Sequence, residues 1–224
     1  MSHLYIYCAG GLGKEVLDIV MKINTIENRW SAFNFIDDFH PSNTDIGGIG
    51  VLSFNQLIEI NTQNRDFSLV IAHGDPHARK SILEKLKVNN LDSFLTSIIS
   101  TEARVSHNAY IGRGTIICPG AHISVDVRID DNCVINCNSI IGHDVTVDQN
   151  SVISSQVNLG GNVQISKNAF VGMGALIRER VKVGSNSIVG MGSSVHKDVP
   201  ENTLCVGNPA RVIQKSTNVR LYNN

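Results

Sequence analysis

A chain of 224 residues with 42% hydrophobic side chains is large enough to bury a core, which excludes a disordered chain. Its net charge of −1 and its 17% of charged residues exclude a global basic field that would attract nucleic acid or an anionic membrane. Aromatic residues make up only 5%, and Gly is frequent at 19 against 5 Pro, so we expect a core of small aliphatic side chains.

The amino-terminal segment and the cysteines predict a cytoplasmic protein. The apolar run at residues 4–8 has no basic region before it, and no apolar stretch is long enough for a membrane span. We therefore expect neither a secretory signal nor membrane insertion. Five Cys form an odd set without a C-x-x-C motif, which fits reduced thiols better than disulfides or a structural zinc site.

Residues 1–100 alternate short apolar runs with helical patterns. We expect strands at 4–8, 32–36 and 67–72, a glycine-rich turn at 9–13 that leads into a helix, and a helix over about 77–87. Pro76 suits the first turn of that last helix. Strand, turn and helix in succession predict a small Rossmann-like parallel α/β domain.

From Val105 to Val199 an aliphatic residue recurs every six positions without a break. A small or β-branched residue follows each aliphatic by four positions. The position three after each aliphatic holds Asn, Gly or Asp in fourteen of sixteen repeats, the exceptions being Gln156 and Arg180. Residues two apart on a strand share a face, and Asn, Gly and Asp tolerate positive φ, so each hexad predicts a short strand and a bend. The chain should therefore coil as a β-helix with aliphatic residues inside.

The hexads, the preceding α/β domain and two motifs together resemble one family. The motifs are residues 140–144 (Ile-Ile-Gly-His-Asp) and 206–211 (Val-Gly-Asn-Pro-Ala-Arg). The chain resembles the sugar O- and N-acyltransferases, which include the sialic acid O-acetyltransferase group and the N-acetyltransferases of nucleotide-linked 4-amino-4,6-dideoxy sugars. The resemblance implies a left-handed β-helix with three hexads per triangular coil, a homotrimer, acetyl-CoA as acyl donor and no metal. It also implies three regions: 1–100 for the nucleotide sugar, 101–199 for acyl transfer, and 200–224 as a capping and coenzyme-contacting tail.

The same resemblance implies a catalytic pair. At three hexads per coil, residues 18 apart stack, so Val125, His143, Gly161 and Glu179 should form one column. His143 is implied as the general base, Asp144 as the carboxylate that orients it, and a backbone N–H near Gly161 as the oxyanion donor. The alternative is that Asp144 and Gly161 only form tight bends.

The resemblance also implies a coenzyme-binding region, made of bends that lack side chains and of the tail motif. The bends are at Gly161, Gly172, Gly174, Gly190 and Gly192, and the tail motif contributes Pro209, Ala210 and Arg211. Residues 177–224 carry seven Lys or Arg and three Asp or Glu, a net charge of +4 that fits the phosphates of coenzyme A. The alternatives are that bends simply prefer Gly, and that Pro209 ends the solenoid and caps its open edge.

A substrate region is implied around the glycine-rich turn: Gly10, Gly11, Leu12, Gly13, Asp37, Asp38, Gly74, Asp75 and Asn136. Leu12 departs from the family pattern, since many relatives carry His at this point. For Asp37 and Asp38 the alternative is a solvated strand end, and for Asn136 a polar corner residue.

These features predict an acetyl-CoA-dependent N-acetyltransferase acting on a 4-amino sugar linked to UDP or dTDP, with GDP as a further option, in surface polysaccharide or O-antigen synthesis. The alternatives are an O-acetyltransferase of sialic acid or another sugar, and a noncatalytic trimeric scaffold that binds a nucleotide. A nicotinamide enzyme is disfavoured because Cys8 stands where the first Gly of G-x-G-x-x-G belongs. A zinc site is disfavoured because His107, His122 and His143 supply no close pair; His107, His122 and His196 are expected to be solvated.

Overall fold

The computed structural model describes residues 2–40, 44–63 and 65–215, without the side chain of Lys215. Residues 216–224 of the expected carboxy-terminal tail lie outside the described residues. Within the described ranges, no helix combines the length and apolarity needed to cross a membrane.

The amino-terminal unit is a Rossmann-like α/β sheet, as predicted. Its elements are β1 (Ser2–Tyr7), α1 (Gly11–Glu27), β2 (Trp30–Ile36), β3 (Asp45–Ile46), β4 (Ile49–Leu52), α2 (Phe54–Gln63), β5 (Phe67–Ile71), α3 (Pro76–Val88) and a 3₁₀ turn at Asp92–Phe94. The strand order is β3-β4-β2-β1-β5, and only β3 runs antiparallel to its neighbour.

Two segments of this unit differ from the sequence-based expectation. Residues 41–66, for which no element is predicted, contain β3, β4 and α2, with Gly47 and Gly48 at positive φ between the two strands. The glycine-rich segment is not a turn throughout, because α1 already begins at Gly11. The sharp change of direction falls on Cys8, whose φ is 79°.

The hexads form a left-handed parallel β-helix of two-residue strands. The strands are β6 (Ile98–Ile99), β7 (Arg104–Val105), β8 (Tyr110–Ile111), β9 (Ile116–Ile117), β10 (His122–Ile123), β11 (Arg128–Ile129), β12 (Val134–Ile135), β13 (Ile140–Ile141), β14 (Thr146–Val147), β15 (Val152–Ile153), β16 (Asn158–Leu159), β17 (Gln164–Ile165), β18 (Phe170–Val171), β19 (Leu176–Ile177), β20 (Lys182–Val183), β21 (Ile188–Val189) and β22 (Ser194–Val195). A hairpin of β23 (Thr203–Gly207) and β24 (Ala210–Lys215) ends the described chain.

Three sheets form the sides of the prism. The six-stranded sheet has the order β22-β19-β16-β13-β10-β7, the five-stranded sheet β20-β17-β14-β11-β8, and the eight-stranded sheet β24-β23-β21-β18-β15-β12-β9-β6. Paired residues such as Ile123, Ile141, Leu159 and Ile177 are 18 apart, which confirms three hexads per coil.

The bends confirm the predicted backbone at fourteen of the sixteen repeats. Their φ values lie between 55° and 70°, and Gln156 and Arg180 adopt them as well. The coil therefore imposes the left-handed conformation even on residue types that do not favour it. The prediction is wrong for Asn108 and Asp198, which lie in the first and last repeats. At Asp198 the side chain instead accepts a hydrogen bond from Lys182 N–H at 2.9 Å.

The prism interior is aliphatic, as the composition predicts. Its cluster of buried side chains includes Ile135, Ile153 and Val171, and within the described residues it holds no aromatic ring. A narrow coil leaves room for stacked small aliphatics but not for rings, because successive strands lie only about 4.8 Å apart.

The two units pack against each other and share a core. Val16 and Ile19 of α1 belong to the same buried cluster as Ile116, Val134 and Val152 of the eight-stranded sheet. This contact covers one side of the prism, and no helix of the described residues covers the six-stranded or the five-stranded sheet.

Arg79 of α3 makes a second, polar link between the units. It is fully buried and donates to the carbonyls of Ile71 and His73, and to the backbone and side-chain oxygens of Asn132 in the β-helix. Asn132 begins a ladder of side-chain amide hydrogen bonds along one corner of the prism, which continues through Asn150, Asn168, Asn186 and Asn202.

Candidate functional site

His143 and Asp144 follow β13 at the corner between the six-stranded and five-stranded sheets. His143 is 60% exposed, and its Nδ1 lies 2.6 Å from Asp144 Oδ2. Asp144 has a φ of 58° and donates its N–H to Val125 O, so the bend itself holds the carboxylate beside the ring. Because the carboxylate accepts the Nδ1 proton, Nε2 is the basic nitrogen of the neutral imidazole.

Gly161, one coil further along the same column, lies directly against this ring. A Cβ on Gly161 would come within 2.5 Å of His143 Nε2 and 2.6 Å of Cε1. Its φ is outside the left-handed region, so the backbone does not require glycine here. Glycine is required because any side chain at this position would occupy the space of the His143 imidazole. No acceptor for the Gly161 N–H is found among the described residues.

A groove of about 540 Å³ lies on the outward face of the six-stranded sheet and ends beside Gly160. Ile140 and Leu176 line it and are 49% and 51% exposed, so two aliphatic side chains lie on the open face of the sheet. Arg178 and Glu179, which pair at 3.2 Å, form its polar end. The groove can hold an extended, partly apolar chain next to the His143 column.

The opposite edge of the six-stranded sheet is a second corner, between that sheet and the eight-stranded sheet. We call it the glycine corner; it holds residues 136, 154, 172–174 and 190–192. Gly174 and Gly192 have positive φ and open space beside them. A Cβ on Gly172 would lie 2.6 Å from Met191 N, and one on Gly190 2.6 Å from Val206 Cγ1, so these two glycines allow neighbouring segments to approach closely.

The tail motif lies at the glycine corner as well. Pro209 follows a cis peptide bond between β23 and β24, and Ala210 and Arg211 begin β24. Gly207 N–H donates to Ser193 Oγ at 3.2 Å, which holds the hairpin against this corner. The structure thus brings the predicted coenzyme residues together, with the exception of Gly161.

Asn136 also lies at the glycine corner, and its side chain is within 3.7 Å of Cys118 Sγ. Within one chain, the six-stranded sheet separates it from the His143 column. The structure therefore does not join Asn136, or the four predicted glycines, to the pair predicted to be catalytic.

A cleft of about 430 Å³ opens at the carboxyl ends of β1, β2 and β5. It is lined by Tyr7, Cys8, Gly10, Asp37, Asp38, Phe39, His40, His73, Ala78, Ser81, Ile82 and Lys85. Open α/β sheets bind ligands at this end of their strands. Three of the predicted substrate residues, Gly10, Asp37 and Asp38, line the cleft.

Comparisons with known proteins agree with this arrangement. The family described as the PglD N-terminal domain matches residues 3–86. The acetyltransferase domain of PglB from Neisseria gonorrhoeae is 27% identical, with a TM-score of 0.85 over 95% of this chain and 100% of that chain. WeeI from Acinetobacter baumannii is 28% identical, with a TM-score of 0.85 and the same coverage of 95% and 100%. PerB from Caulobacter crescentus, solved with CoA and GDP-perosamine, is 25% identical, with a TM-score of 0.85 over 96% of this chain and 98% of that chain.

The chain is an acyltransferase that is similar over nearly its whole length to hexapeptide-repeat sugar acetyltransferases. The resemblance stated from the hexads and motifs is thereby confirmed. No protein with a curated function matches the sequence.

Several residues that the sequence predicts as substrate contacts have structural roles in this acyltransferase. A Cβ on Gly13 would overlap Cys8 O, so Gly13 allows α1 to pack closely on β1. Leu12 is half-buried and packs against the shared core. Asp75 caps α3 by accepting from the N–H groups of His77 and Ala78. Gly11 and Gly74 have open space beside them and do not line the cleft.

Asp37 organises the floor of the cleft in this acyltransferase. Its Oδ2 accepts from Ala9 N–H at 2.9 Å and its Oδ1 from Phe39 N–H at 2.8 Å. Burial raises the pKa of Asp37, but the hydrogen bonds from Ala9, Phe39 and His40 outweigh this effect and hold the pKa below its ordinary value. The carboxylate is therefore ionised at neutral pH and fixes the loop after β1.

Sequence reasoning missed most of the α3 wall of the cleft. Ala78, Ser81, Ile82 and Lys85 have the i, i+3, i+4, i+7 spacing of one helix face, and that spacing could have identified them. Lys85 Nζ contacts Asp38 Oδ2 at 2.8 Å and Tyr7 OH at 3.3 Å, and lies 3.9 Å from the centre of the Phe54 ring.

The amino terminus of α1 meets the same cleft without a side-chain cap. Its cap residue is Gly10, which lines the cleft, and the first turn contains no acidic residue. The unpaired N–H groups and the dipole of this 17-residue helix favour an anion at that point. His73, at the end of β5, adds no charge near neutral pH, because burial lowers its pKa.

Within the described residues, no three or more His, Cys, Asp or Glu side chains are grouped so as to hold a metal ion.

Proposed function

We propose that this acyltransferase is an acetyl-CoA-dependent N-acetyltransferase that acts on the 4-amino group of a nucleotide-linked 4-amino-4,6-dideoxy sugar. The nucleotide is UDP or dTDP, with GDP as the third candidate. One observation carries the proposal: an exposed His143 whose Nδ1 lies 2.6 Å from Asp144 and whose basic Nε2 lies against Gly161. The similar PglB domain was solved with acetyl coenzyme A, and PerB with CoA and GDP-perosamine, which supports the donor and the acceptor class.

In the proposed reaction, the neutral sugar amine attacks the carbonyl carbon of the thioester and forms the C–N bond. His143 Nε2 takes one proton from the attacking nitrogen, while Asp144 stabilises the imidazolium. The unpaired Gly161 N–H donates to the oxyanion. When the tetrahedral intermediate collapses, the C–S bond breaks and the proton passes from His143 to sulfur, so coenzyme A leaves as the thiol.

The amino-terminal unit is proposed to bind the sugar nucleotide. Its cleft of about 430 Å³ suits a nucleoside, and the uncapped amino terminus of α1 beside Gly10 suits the diphosphate. The glycine corner and the hairpin motif are proposed to bind the coenzyme, with Arg211 near its phosphates.

A homotrimer is part of the proposal, because the predicted site is divided between two corners of one prism. A neighbouring copy that places its glycine corner against the His143 corner would join the two halves and cover the exposed Ile140 and Leu176. Light scattering on the purified chain tests the stoichiometry. A monomer that is fully active would contradict a site shared between copies.

The function is tested by release of the coenzyme A thiol with a panel of acceptors. UDP-, dTDP- and GDP-linked 4-amino sugars are compared with free sialic acid, and the proposal requires turnover with at least one amino-sugar nucleotide and none with sialic acid. If sialic acid were the preferred acceptor, the activity would be O-acetylation and the proposed N-acetylation would be wrong. Nucleotide binding without any turnover would favour the scaffold.

The role of His143 is tested with a matched control. His143→Ala should abolish turnover and leave nucleotide binding intact. His107 occupies the same hexad position two coils earlier and is also exposed, but Asn108 follows it instead of an acid. His107→Ala should therefore retain full activity. Unchanged turnover in His143→Ala would remove this residue from the mechanism.

A further inference from the structure

Two cysteines on neighbouring coils lie beneath α1 and have no part in the proposed chemistry. All five cysteines of the chain are free thiols; Cys118 is buried and Cys137 is half-buried. Cys118 belongs to the core cluster that the two units share, and Cys137 packs against the same cluster. Among the five thiols, only these two affect each other's ionisation. They therefore form a dithiol rather than two separate cysteines.

The backbone sets the two residues at the separation that a disulfide requires. Cys118 N–H donates to Ile135 O at 2.9 Å, and Asn138 N–H donates to Pro119 O at 3.1 Å, so two hydrogen bonds between the coils flank the pair. With coils about 4.8 Å apart and an offset of one residue, about 3.3 Å, the two Cα atoms lie about 6 Å from each other. Disulfide-bonded cysteines usually have Cα atoms about 4.4–6.8 Å apart.

The bend turns both side chains to the same side of the prism. On straight strands, residues offset by one position would face opposite sides. Cys137 directly precedes the bend residue Asn138, whose φ is 57°, and both thiols pack under α1. Burial raises the pKa of both thiols, and a hydrogen bond between them raises the pKa of Cys118 and lowers that of Cys137. Joining the two sulfur atoms therefore requires side-chain rotation rather than a movement of the backbone.

We infer that Cys118 and Cys137 are a redox-sensitive dithiol site, which hydrogen peroxide closes into a disulfide. Cys137 is the more exposed of the two and attacks as the thiolate: its sulfur bonds to one peroxide oxygen, the O–O bond breaks and hydroxide leaves. The Cys118 thiol then attacks the sulfenic acid, the S–S bond forms, the S–O bond breaks and water leaves with the Cys118 proton. The two thiols are oxidised by two electrons in total. The peroxide is reduced to two molecules of water, because the hydroxide takes up the proton that Cys137 released.

Closure of the disulfide removes a hydrogen-bond donor from the glycine corner. The single proton of the Cys118 thiol serves Asn136 as well as Cys137, since Cys118 Sγ lies 3.7 Å from Asn136 Oδ1. A disulfide carries no S–H, so Asn136 loses this donor. Relying on the proposed function, which assigns the glycine corner to the coenzyme, we expect oxidation to lower the rate at subsaturating acetyl-CoA. One neutral hydrogen bond is worth roughly three- to tenfold, and a loss of that size is expected.

The test is mass spectrometry of the folded full chain before and after hydrogen peroxide. Arg128 lies between the two cysteines, so trypsin separates their peptides and a cross-link joins them. We expect that cross-link, with the loss of two hydrogen atoms, and its reversal by dithiothreitol. Cys137→Ser and Cys118→Ser should form none, with Cys118→Ala as the substitute if the buried Ser does not fold, whereas Cys8→Ser should form it at the wild-type rate. A wild-type chain without the cross-link would overturn the inference.

Glu15 tests whether Cys137 is the attacking thiol. Burial is the largest cause that raises the pKa of Cys137, and the negative charge of Glu15 on α1 is the next. Glu15→Gln removes that charge and increases the thiolate fraction, so the cross-link should form about two- to fivefold faster at pH 7. Asp18→Asn, one turn further along α1, is the control and should leave the rate unchanged. An unchanged rate in Glu15→Gln would overturn the assigned order of attack.

Activity separates this inference from the proposed function. Initial rates at subsaturating acetyl-CoA are compared for the reduced, the peroxide-treated and the re-reduced chain. The wild type should lose rate and regain it with dithiothreitol, and Cys137→Ser should show no recoverable loss. Oxidation of the exposed Met173 or Met191 is not reversed by dithiothreitol, so it cannot produce the same result.

The outcomes of the two measurements are distinct. A cross-linked chain with an unchanged rate would overturn the effect on the glycine corner. A reduced chain that is inactive on every acceptor would overturn the proposed function, while the cross-link measured by mass would still decide whether the dithiol site exists.

Discussion

The imidazole of His143 fills the space that a side chain on Gly161 would take in the next coil, since a Cβ on Gly161 would come within 2.5 Å of Nε2. The basic nitrogen therefore lies against Gly161, whose N–H has no acceptor among the described residues. The proposed general base and the proposed oxyanion donor are thereby held together by the 18-residue repeat itself.

Gly161→Ala should displace the ring with little effect on the backbone. The φ of Gly161 is one that alanine adopts, so the only obstacle to the new methyl group is His143. A displacement of about 1 Å costs on the order of 100-fold in rate, and we expect a loss of that size in kcat with an unchanged melting temperature.

A double variant decides whether Gly161 acts through His143. In a His143→Ala background the ring is gone, and Gly161→Ala should cause no further loss of residual turnover. A further loss equal to that of the single variant would show that Gly161 has a role independent of the imidazole.

Asp144→Asn tests the orientation of the imidazole. Asn tolerates the φ of 58° that the bend requires, but its amide can turn an N–H toward Nδ1 and favour the wrong tautomer. Because both side chains are half-exposed and water can partly replace the carboxylate, we expect kcat to fall by roughly 10- to 100-fold. Initial rates at saturating acetyl-CoA give the measurement.

Asp126 provides the control for this substitution. It occupies the same bend one coil earlier, with a φ of 56°, and Val125 precedes it where His143 precedes Asp144. Asp126→Asn should leave kcat within twofold of the wild type. A comparable loss in both variants would mean that the charge of the corner matters rather than the pairing with His143.

The fold of the β-helix was predictable because its information is local and repeated. Val105 to Val199 carries the same six-residue pattern sixteen times, and each copy predicts its own strand and bend. The amino-terminal unit was less predictable. β3 has two residues, too few for a period to be recognised.

The contact between His143 and Asp144 was also predictable, since the two residues are adjacent in sequence, whereas their catalytic role stays a prediction. The Lys85–Asp38 pair was not predictable, because 47 residues separate its members and only the folded sheet brings them together. The sequence also did not predict that the site residues lie at two different corners of the prism. Hexad spacing assigns each residue to a column along the prism, but it does not show which columns lie close to each other in space.

Arg79 should be among the most sensitive positions for stability. Arg79→Met leaves the carbonyls of Ile71, His73 and Asn132 without their donor in a buried site. We expect the free energy of unfolding to fall by about 2–4 kcal/mol. Urea denaturation followed by circular dichroism gives the measurement, and Lys80→Met, the exposed neighbour on α3, should change stability by less than about 0.5 kcal/mol.

The same variant tests whether Arg79 joins the two units. If it does, the fluorescence of Trp30 in the amino-terminal unit and the far-ultraviolet signal of the β-helix should separate into two transitions in Arg79→Met. A single transition at the wild-type midpoint would contradict the proposed energetic role of the buried guanidinium.

Cys8 lines the cleft of the amino-terminal unit but should resist alkylation. Burial, with the negative charge of Asp37 as a smaller cause, raises the pKa of its thiol to about 12. Only the thiolate attacks iodoacetamide, so at pH 8 the rate should be at least about 100-fold lower than that of glutathione, and it should rise about tenfold per pH unit up to pH 10. Peptide mass spectrometry at pH 7, 8 and 9 follows the modification. Alkylation of Cys8 at pH 8 at a rate near that of glutathione would show that the thiol is not buried against Asp37 as the structure describes.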